Sequence, residues 1–158
     1  MLRKIVATVA AVAIANLAAA GPAQDAASQT LDRFHQAAAK AQFEEYFSLF
    51  APEGVFIGTD ASERWTVAQF KAYAKPHFDK GRGWTYTKVE RNITVAADGK
   101  HASFDELLDN AGLGRCRGTG VLRLIDGQWR IEQYHLTIPV PNELASEVVK
   151  RIREGKKP

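Results

Sequence analysis

Cys116-Arg117-Gly118-Thr119-Gly120-Val121-Leu122-Arg123-Leu124-Ile125-Asp126-Gly127-Gln128-Trp129-Arg130-Ile131-Glu132-Gln133-Tyr134-His135-Leu136-Thr137 is the stretch on which the fold turns. Asp-Gly between two runs of alternating apolar and polar residues is the signature of a two-residue type I′ hairpin, because that turn needs φ > 0 at both central positions. A two-residue loop sets Ile125 opposite Gln128 and fixes every pair beyond it. On one face Leu124 then meets Trp129, Leu122 meets Ile131, Gly120 meets Gln133, Gly118 meets His135 and Cys116 meets Thr137. The other face, with Arg123, Thr119 and Arg117 against Arg130, Tyr134 and Leu136, and Val121 against Glu132, is mostly polar. The apolar face becomes polar as it leaves the turn, and each long polar side chain there stands before a glycine. A sheet with that pattern lines a pocket.

Upstream, Asp98-Gly99 joins Trp84 to Val95 with Lys100 to Leu108 in a second hairpin. The same reasoning pairs Val95 with Ala102, Ile93 with Phe104, Arg91 with Glu106 and Val89 with Leu108. An opposed Arg–Glu pair in an apolar stripe is expensive to bury and therefore informative: it is either an ion pair at the sheet edge or part of a site. Trp84 and Tyr86 fall on the opposite parity, so they cover the outer face or a bulge precedes Val89.

The rest of the chain supplies helices. Leu31, Phe34, Ala38 and Ala41, then Phe43, Phe47 and Phe50, recur at helical spacing until Pro52 and Gly54 stop the pattern. Val55 to Gly58 and Glu63 to Thr66 read as short strands. Thr66-Val67-Ala68-Gln69 has the form of a capping box opening a helix that buries Phe70, Tyr73 and Ala74 and is bent or ended by Pro76. Asn142 is expected to cap a last helix with Leu144, Val148 and Ile152 on one stripe. Helices followed by antiparallel strands give an α+β domain.

The 158 residues suit one domain, with 46% hydrophobic and 25% charged residues and a net charge of +3. Arg3 and Lys4, the apolar run Ile5 to Ala15 and the small residues Ala18-Ala19-Ala20 have the order of a secretory leader, with a second cleavage site at Gly21-Pro22-Ala23. Residues 1–23 are expected to be the signal peptide and 24–158 the domain of a periplasmic or secreted bacterial protein. Losing Arg3 and Lys4 leaves a charge of about +1. The cluster Lys150, Arg151, Arg153, Lys156 and Lys157 complements a helix C-terminus, and no aromatic residues are interleaved with it. No nucleic-acid partner is expected, and no membrane partner once the leader is gone.

His135 is the candidate acid–base residue, facing an open and partly apolar space, with Glu106 as its partner. Arg91, Gln133, Trp65, Asp60, Arg64, Phe104 and Cys116 are the candidate ligand-binding residues. Cys116 lies along the same face as His135, but about 7 Å separates such positions, which favours a buried small hydrophobe over a nucleophile. His35, His77 and His101 are scattered without metal-ligand spacing, and no phosphate loop or nucleophile elbow is present, so no metal and no cofactor is expected.

From about Leu31 to Leu144 the sequence resembles the SnoaL-like branch of the nuclear-transport-factor-2-like superfamily, which includes ketosteroid isomerase and scytalone dehydratase. Phe43-Glu44-Glu45-Tyr46-Phe47-Ser48-Leu49-Phe50-Ala51-Pro52-Glu53-Gly54-Val55-Phe56, Gly58-Thr59-Asp60 with Glu63-Arg64-Trp65, Phe104-Asp105-Glu106-Leu107-Leu108, Cys116-Arg117-Gly118-Thr119-Gly120-Val121-Leu122 and Trp129-Arg130-Ile131 leading to His135 carry it, in that order. The resemblance implies a cone-shaped, curved antiparallel sheet wrapped around N-terminal helices, a pocket between them, and often a homodimer through the sheet. It transfers no activity, since one fold hosts many chemistries. The isomerases' Tyr–Asp oxyanion pair and catalytic Asp have no matching motif here. Three readings stay open: binding of a small, largely apolar molecule with a polar group; an isomerase, dehydratase or hydrolase using His135 and Glu106; or a non-catalytic interaction module.

Overall fold

The computed structural model describes residues 12–155, and side chains from residue 21 onward. Residues 1–11 of the expected leader lie outside the described residues. Helix α1 (Val12–Ala39) turns sharply into α2 (Phe43–Ser48) through Ala41, whose φ of 52° is left-handed. Strands β1 (Phe50–Ile57) and β2 (Arg64–Thr66) precede α3 (Val67–Phe78). Strands β3 (Thr87–Val95), β4 (His101–Asn110), β5 (Gly114–Ile125) and β6 (Gln128–Thr137) follow, and α4 (Ala145–Gly155) ends the described chain. The architecture is α+β, with a six-stranded mixed sheet in the order β2-β1-β6-β5-β4-β3. All its pairs are antiparallel except β1 with β6.

Sequence chemistry accounts for the joints. Thr66 and Gln69 form the expected capping box: Gln69 N donates to the Thr66 hydroxyl, and Thr66 N donates to the Gln69 side chain. Pro76 does not end α3, which runs on to Phe78. Phe78 is buried against Phe43, Tyr46 and Trp84, and that packing offsets the lost backbone hydrogen bond. Tyr73, expected in the core, is 48% exposed. Asn142 makes no side-chain cap; it opens a short 3-10 turn, Asn142–Leu144, that leads into α4.

Both Asp-Gly hairpins form, and each follows its predicted register until a bulge interrupts it. In the first, Val95↔Ala102, Ile93↔Phe104 and Arg91↔Glu106 pair as expected, but Leu108 meets Lys88, so Val89 is the extra residue. In the second, Leu124↔Trp129 and Leu122↔Ile131 hold, and then Val121 pairs with Gln133, which makes Glu132 the extra residue. Beyond it Gly120 meets Tyr134 and Gly118 meets Leu136, while His135 pairs with Thr119. The expected Gly118–His135 and Gly120–Gln133 pairs are therefore corrected by one place. A bulge leaves one residue unpaired and bends its strand, and here it decides which side chains point inward. The buried residues of β6 are Trp129, Ile131, Tyr134 and Leu136, so the apolar phase shifts across Glu132-Gln133.

Helix α1 packs on β3 and β6, and α3 on β1 and β2. The core between helices and sheet is markedly aromatic, with Phe34, Tyr46, Phe47, Phe50, Phe70 and Tyr134 all buried. Side chains of this size dominate core energetics, each burying about 150–250 Å².

Candidate functional site

Glu106 sits on β4, where the burial pattern alternates strictly and turns its side chain inward to complete burial. An isolated buried carboxylate is strongly disfavoured, and this one is fully partnered. Its Oε1 accepts from His35 Nε2 at 2.7 Å and from the Tyr134 hydroxyl at 2.8 Å, and its Oε2 accepts from Arg91 Nε at 2.8 Å. Burial alone would raise the Glu106 carboxyl. The hydrogen bond and charge of His35, then the charge of Arg91 and the Tyr134 hydroxyl, outweigh it and hold the group below the ordinary carboxyl range. Ionised Glu106 can only accept, so the hydrogen-bond network places a proton on His35 Nε2.

Arg91 arrives from β3 with its side chain 3% exposed. Besides Glu106, its Nη1 donates to the Ser28 carbonyl at 2.9 Å, the Ser28 hydroxyl at 3.0 Å and Asp32 Oδ1 at 2.7 Å. Asp32 also accepts from Lys88 Nζ at 2.9 Å. Ser28, Asp32 and His35 all belong to α1, so the network ties that helix to β3, β4 and β6. Burial, and then the neighbouring Glu106 charge, push the Tyr134 phenol well above its ordinary range and keep it a donor.

His35 and Tyr134 both line a cavity of about 180 Å³ between the helices and the sheet. Its walls are largely aromatic. Phe56, Trp65, Phe70, Trp84 and Tyr134 lie in a nearly parallel array, with interplanar angles of 13° for Phe56–Trp65, 9° for Trp65–Phe70, 20° for Phe70–Trp84 and 3° for Phe56–Tyr134. Thr59, Glu63, Tyr73 and Leu113 also line it, and Tyr73 and Leu113 are exposed, which puts them at the mouth. Among the described residues, no Lys or Arg lines it. Trp84 Nε1 donates to the Tyr46 hydroxyl at 3.4 Å, and burial raises the Tyr46 phenol; burial also pushes Tyr86 up to about 12.

The residues singled out from sequence divide sharply. Glu106 and Arg91 meet as expected, and Trp65 lines the cavity. His135 and Gln133, carried past the Glu132 bulge, line no part of the cavity and are half-buried, so they do not join Glu106. Phe104 is core, 5.7 Å from Tyr134 between ring centroids, and Cys116 is core opposite Leu108. Burial and then the charge of Asp109 raise the Cys116 thiol, the reverse of what a nucleophile needs. Arg64 is exposed on β2, and Asp60 is exposed, accepting from Ser62 N at 2.8 Å. The imidazole that meets Glu106 belongs not to the candidate acid–base residue His135 but to His35. The sequence held a signal for it: Leu31, Phe34, His35 and Ala38 follow i, i+3, i+4, i+7, which puts an imidazole in an apolar stripe.

The SnoaL-like domain profile matches residues 27–141, from the buried turn of α1 to the residue before the 3-10 turn. The chain belongs to the SnoaL-like domain family. Solved structures share the fold of this SnoaL-like domain at low identity. One is an NTF2-like protein of unknown function from Pseudomonas putida KT2440, with 18% identity, a TM-score of 0.58, and coverage of 80% of this chain and 91% of the other. A candidate dehydratase of the NTF2-like family from Streptomyces avermitilis gives 14% identity and a TM-score of 0.63, over 76% of this chain and 99% of the other. A candidate scytalone dehydratase from Novosphingobium aromaticivorans DSM 12444 gives 13% and 0.63, over 82% and 89%. Identities this low carry the fold and not the chemistry. No curated protein matches the sequence.

Proposed function

We propose that this SnoaL-like domain binds a small planar, largely apolar molecule with one hydrogen-bonding group, its rings between the parallel aromatic walls and its polar group at His35. The observation that carries this is the buried His35–Glu106–Arg91 set, with Tyr134, at the edge of an aromatic cavity. A buried ionic set is seldom worth more to stability than apolar residues of the same volume, so its presence beside a cavity points to use. A dry cavity of about 150 Å³ accommodates benzene, so about 180 Å³ suits one or two fused rings. A described lining that has Glu63 and no Lys or Arg argues against an anionic ligand. A mature chain beginning at Gly21 or Gln24 would retain the set and the Ser28 carbonyl that also holds Arg91.

Titration with a bicyclic phenol such as 2-naphthol tests the reading through quenching of Trp65 and Trp84. Saturable quenching is expected, with naphthalene at least about ten-fold weaker, one hydrogen bond to a charge-assisted group being worth roughly 1.5–3 kcal/mol. His35→Gln should bring the two ligands close together in affinity. Equal affinities in the parent protein, or no saturable binding of either, would remove the proposal.

The network also favours a second reading. With Nε2 held on Glu106, Nδ1 is the ring nitrogen left to exchange a proton with a bound molecule, the arrangement of an oriented acid–base imidazole. Exchange of the α-protons of 2-tetralone in D₂O, faster with the protein than with His35→Gln, is the expected sign. Equal rates in the two proteins leave binding alone.

A further inference from the structure

Five of the exposed large apolar side chains, Ile138, Val140, Leu144, Val149 and Ile152, fall on the stretch 138–155 that leaves β6 and forms α4. This stretch continues beyond the family match, which ends at Pro141. No residue of α4 is buried, and its main packing partner is the 3-10 turn before it. An isolated helix of 11 residues is marginal in water, so α4 calls for a surface to lie on. Its apolar stripe would accept any greasy partner. Its charge is more selective: residues 150–158 hold Lys150, Arg151, Arg153, Lys156 and Lys157 against Glu154 alone. The pairs Arg151–Glu147 at 2.8 Å and Lys150–Glu154 at 4.0 Å are exposed and bind little. Docking on the chain's own body or on a second copy would use the stripe and leave the cations only their part at the helix C-terminus, whereas an anionic surface would use both.

We propose that α4 lies in the plane of an anionic lipid bilayer, its Val149 and Ile152 side toward the acyl chains and its cations at the headgroups. At about 1.5 Å per residue it is some 16 Å long, about half the hydrocarbon thickness, so it rests on the surface and does not span it. Ile138 follows by two residues the cavity-lining Leu136, so the segment that leads into the helix leaves the sheet beside the cavity. Docking therefore anchors the cavity end of the domain near a lipid phase that holds apolar molecules.

Hydrogen exchange on the full chain tests this, with the readout confined to residues 145–155 so that an apolar N-terminus cannot supply it. Vesicles of phosphatidylcholine with about a quarter phosphatidylglycerol should slow exchange there at least about ten-fold. Pure phosphatidylcholine should not, and raising salt from about 0.1 to 1 M should reverse the effect as the Debye length falls from about 10 to 3 Å. Val149→Glu/Ile152→Glu should abolish it while leaving β4–β6 protected, since α4 supports no buried residue. Lys150→Gln/Arg151→Gln/Arg153→Gln should weaken binding about a hundred-fold, at roughly five-fold per cation. Slow exchange without vesicles would mean that the body or a second copy covers α4. That result, equal slowing on neutral vesicles, or fast exchange throughout overturns the proposal.

Discussion

Glycine 118 shows how one missing side chain can set up a site. A Cβ there would press on the Tyr134 hydroxyl and lie 2.8 Å from Tyr134 Cζ and 3.0 Å from Glu106 Cγ. The tyrosine cannot swing aside, because Phe34, Phe56 and Phe104 pack around its ring. Gly118→Ala should therefore cost about 1–3 kcal/mol, as overpacking of a full core does. Tyr134→Phe removes the closest atom, so the double variant should be less destabilised than the two single effects added, by at least about 0.5 kcal/mol in urea unfolding. Strict additivity would show that Gly118 and Tyr134 are not in the contact described. The sequence reading had the principle right, a glycine opening space for a polar side chain, and the occupant wrong. His35 stands out less in the sequence for a different reason: a single imidazole carries no pattern of its own, and only its place in the α1 stripe marks it.

At the scale of elements, the sequence was legible wherever one local rule governed. The Asp98-Gly99 and Asp126-Gly127 turns, the Thr66 cap and the Arg91–Glu106 pairing all follow from residues within a few positions of one another. It left the β3 bulge as one of two alternatives and failed at the β6 bulge, since bulge positions depend on how the sheet must bend around α1. The trace was nevertheless present in β6, where apolar residues at 129 and 131 give way to 134 and 136. In β3 the same device at Val89 brings Trp84 and Tyr86 to the cavity. The β6 bulge yields an unusual deletion test. Ile131 faces inward, Glu132 is extra, Gln133 faces outward and Tyr134 inward, so removing Glu132 restores plain alternation without turning any later residue. The deletion should fold, about 1–3 kcal/mol less stable from lost strand curvature, and still bind 2-naphthol. Removing Gln133 instead leaves the same count of residues with an acidic one in its place, and should behave alike. Removing His135 must turn Leu136 outward and should unfold the protein. If all three deletions are equivalent in thermal unfolding, the bulge does not set the facing.

For the whole molecule, the network running Lys88–Asp32–Arg91–Glu106–His35 is the polar seam that fastens α1 to the sheet, and it makes stability depend on pH in a definite sense. Glu106 titrates below its ordinary value of 4.5 in the folded protein, so the unfolded chain binds more protons in the interval between the two. Its contribution is complete above about pH 4.5 and is lost as pH falls through the folded value. Asp32 is shifted the same way from 3.8: burial opposes, and the hydrogen bonds and charges of Lys88 and Arg91 prevail. Asp32 is half exposed, so solvent screening leaves it a minor share. Urea midpoints measured downward from pH 7 should hold steady on this account and then drop below about pH 4.5. Glu106→Gln removes that carboxyl while keeping its shape. It should lower stability at pH 7 by about 3–5 kcal/mol, because Arg91 loses its buried partner, and it should flatten the acid slope. Should that variant be too unstable to fold, Arg91→Met/Glu106→Leu replaces the ion pair by apolar bulk, which is often neutral for stability, and the slope should flatten in it as well. Acid slopes parallel to the parent in whichever variant folds would mean that carboxylates elsewhere set the acid limit, and that the seam is not what holds α1 down.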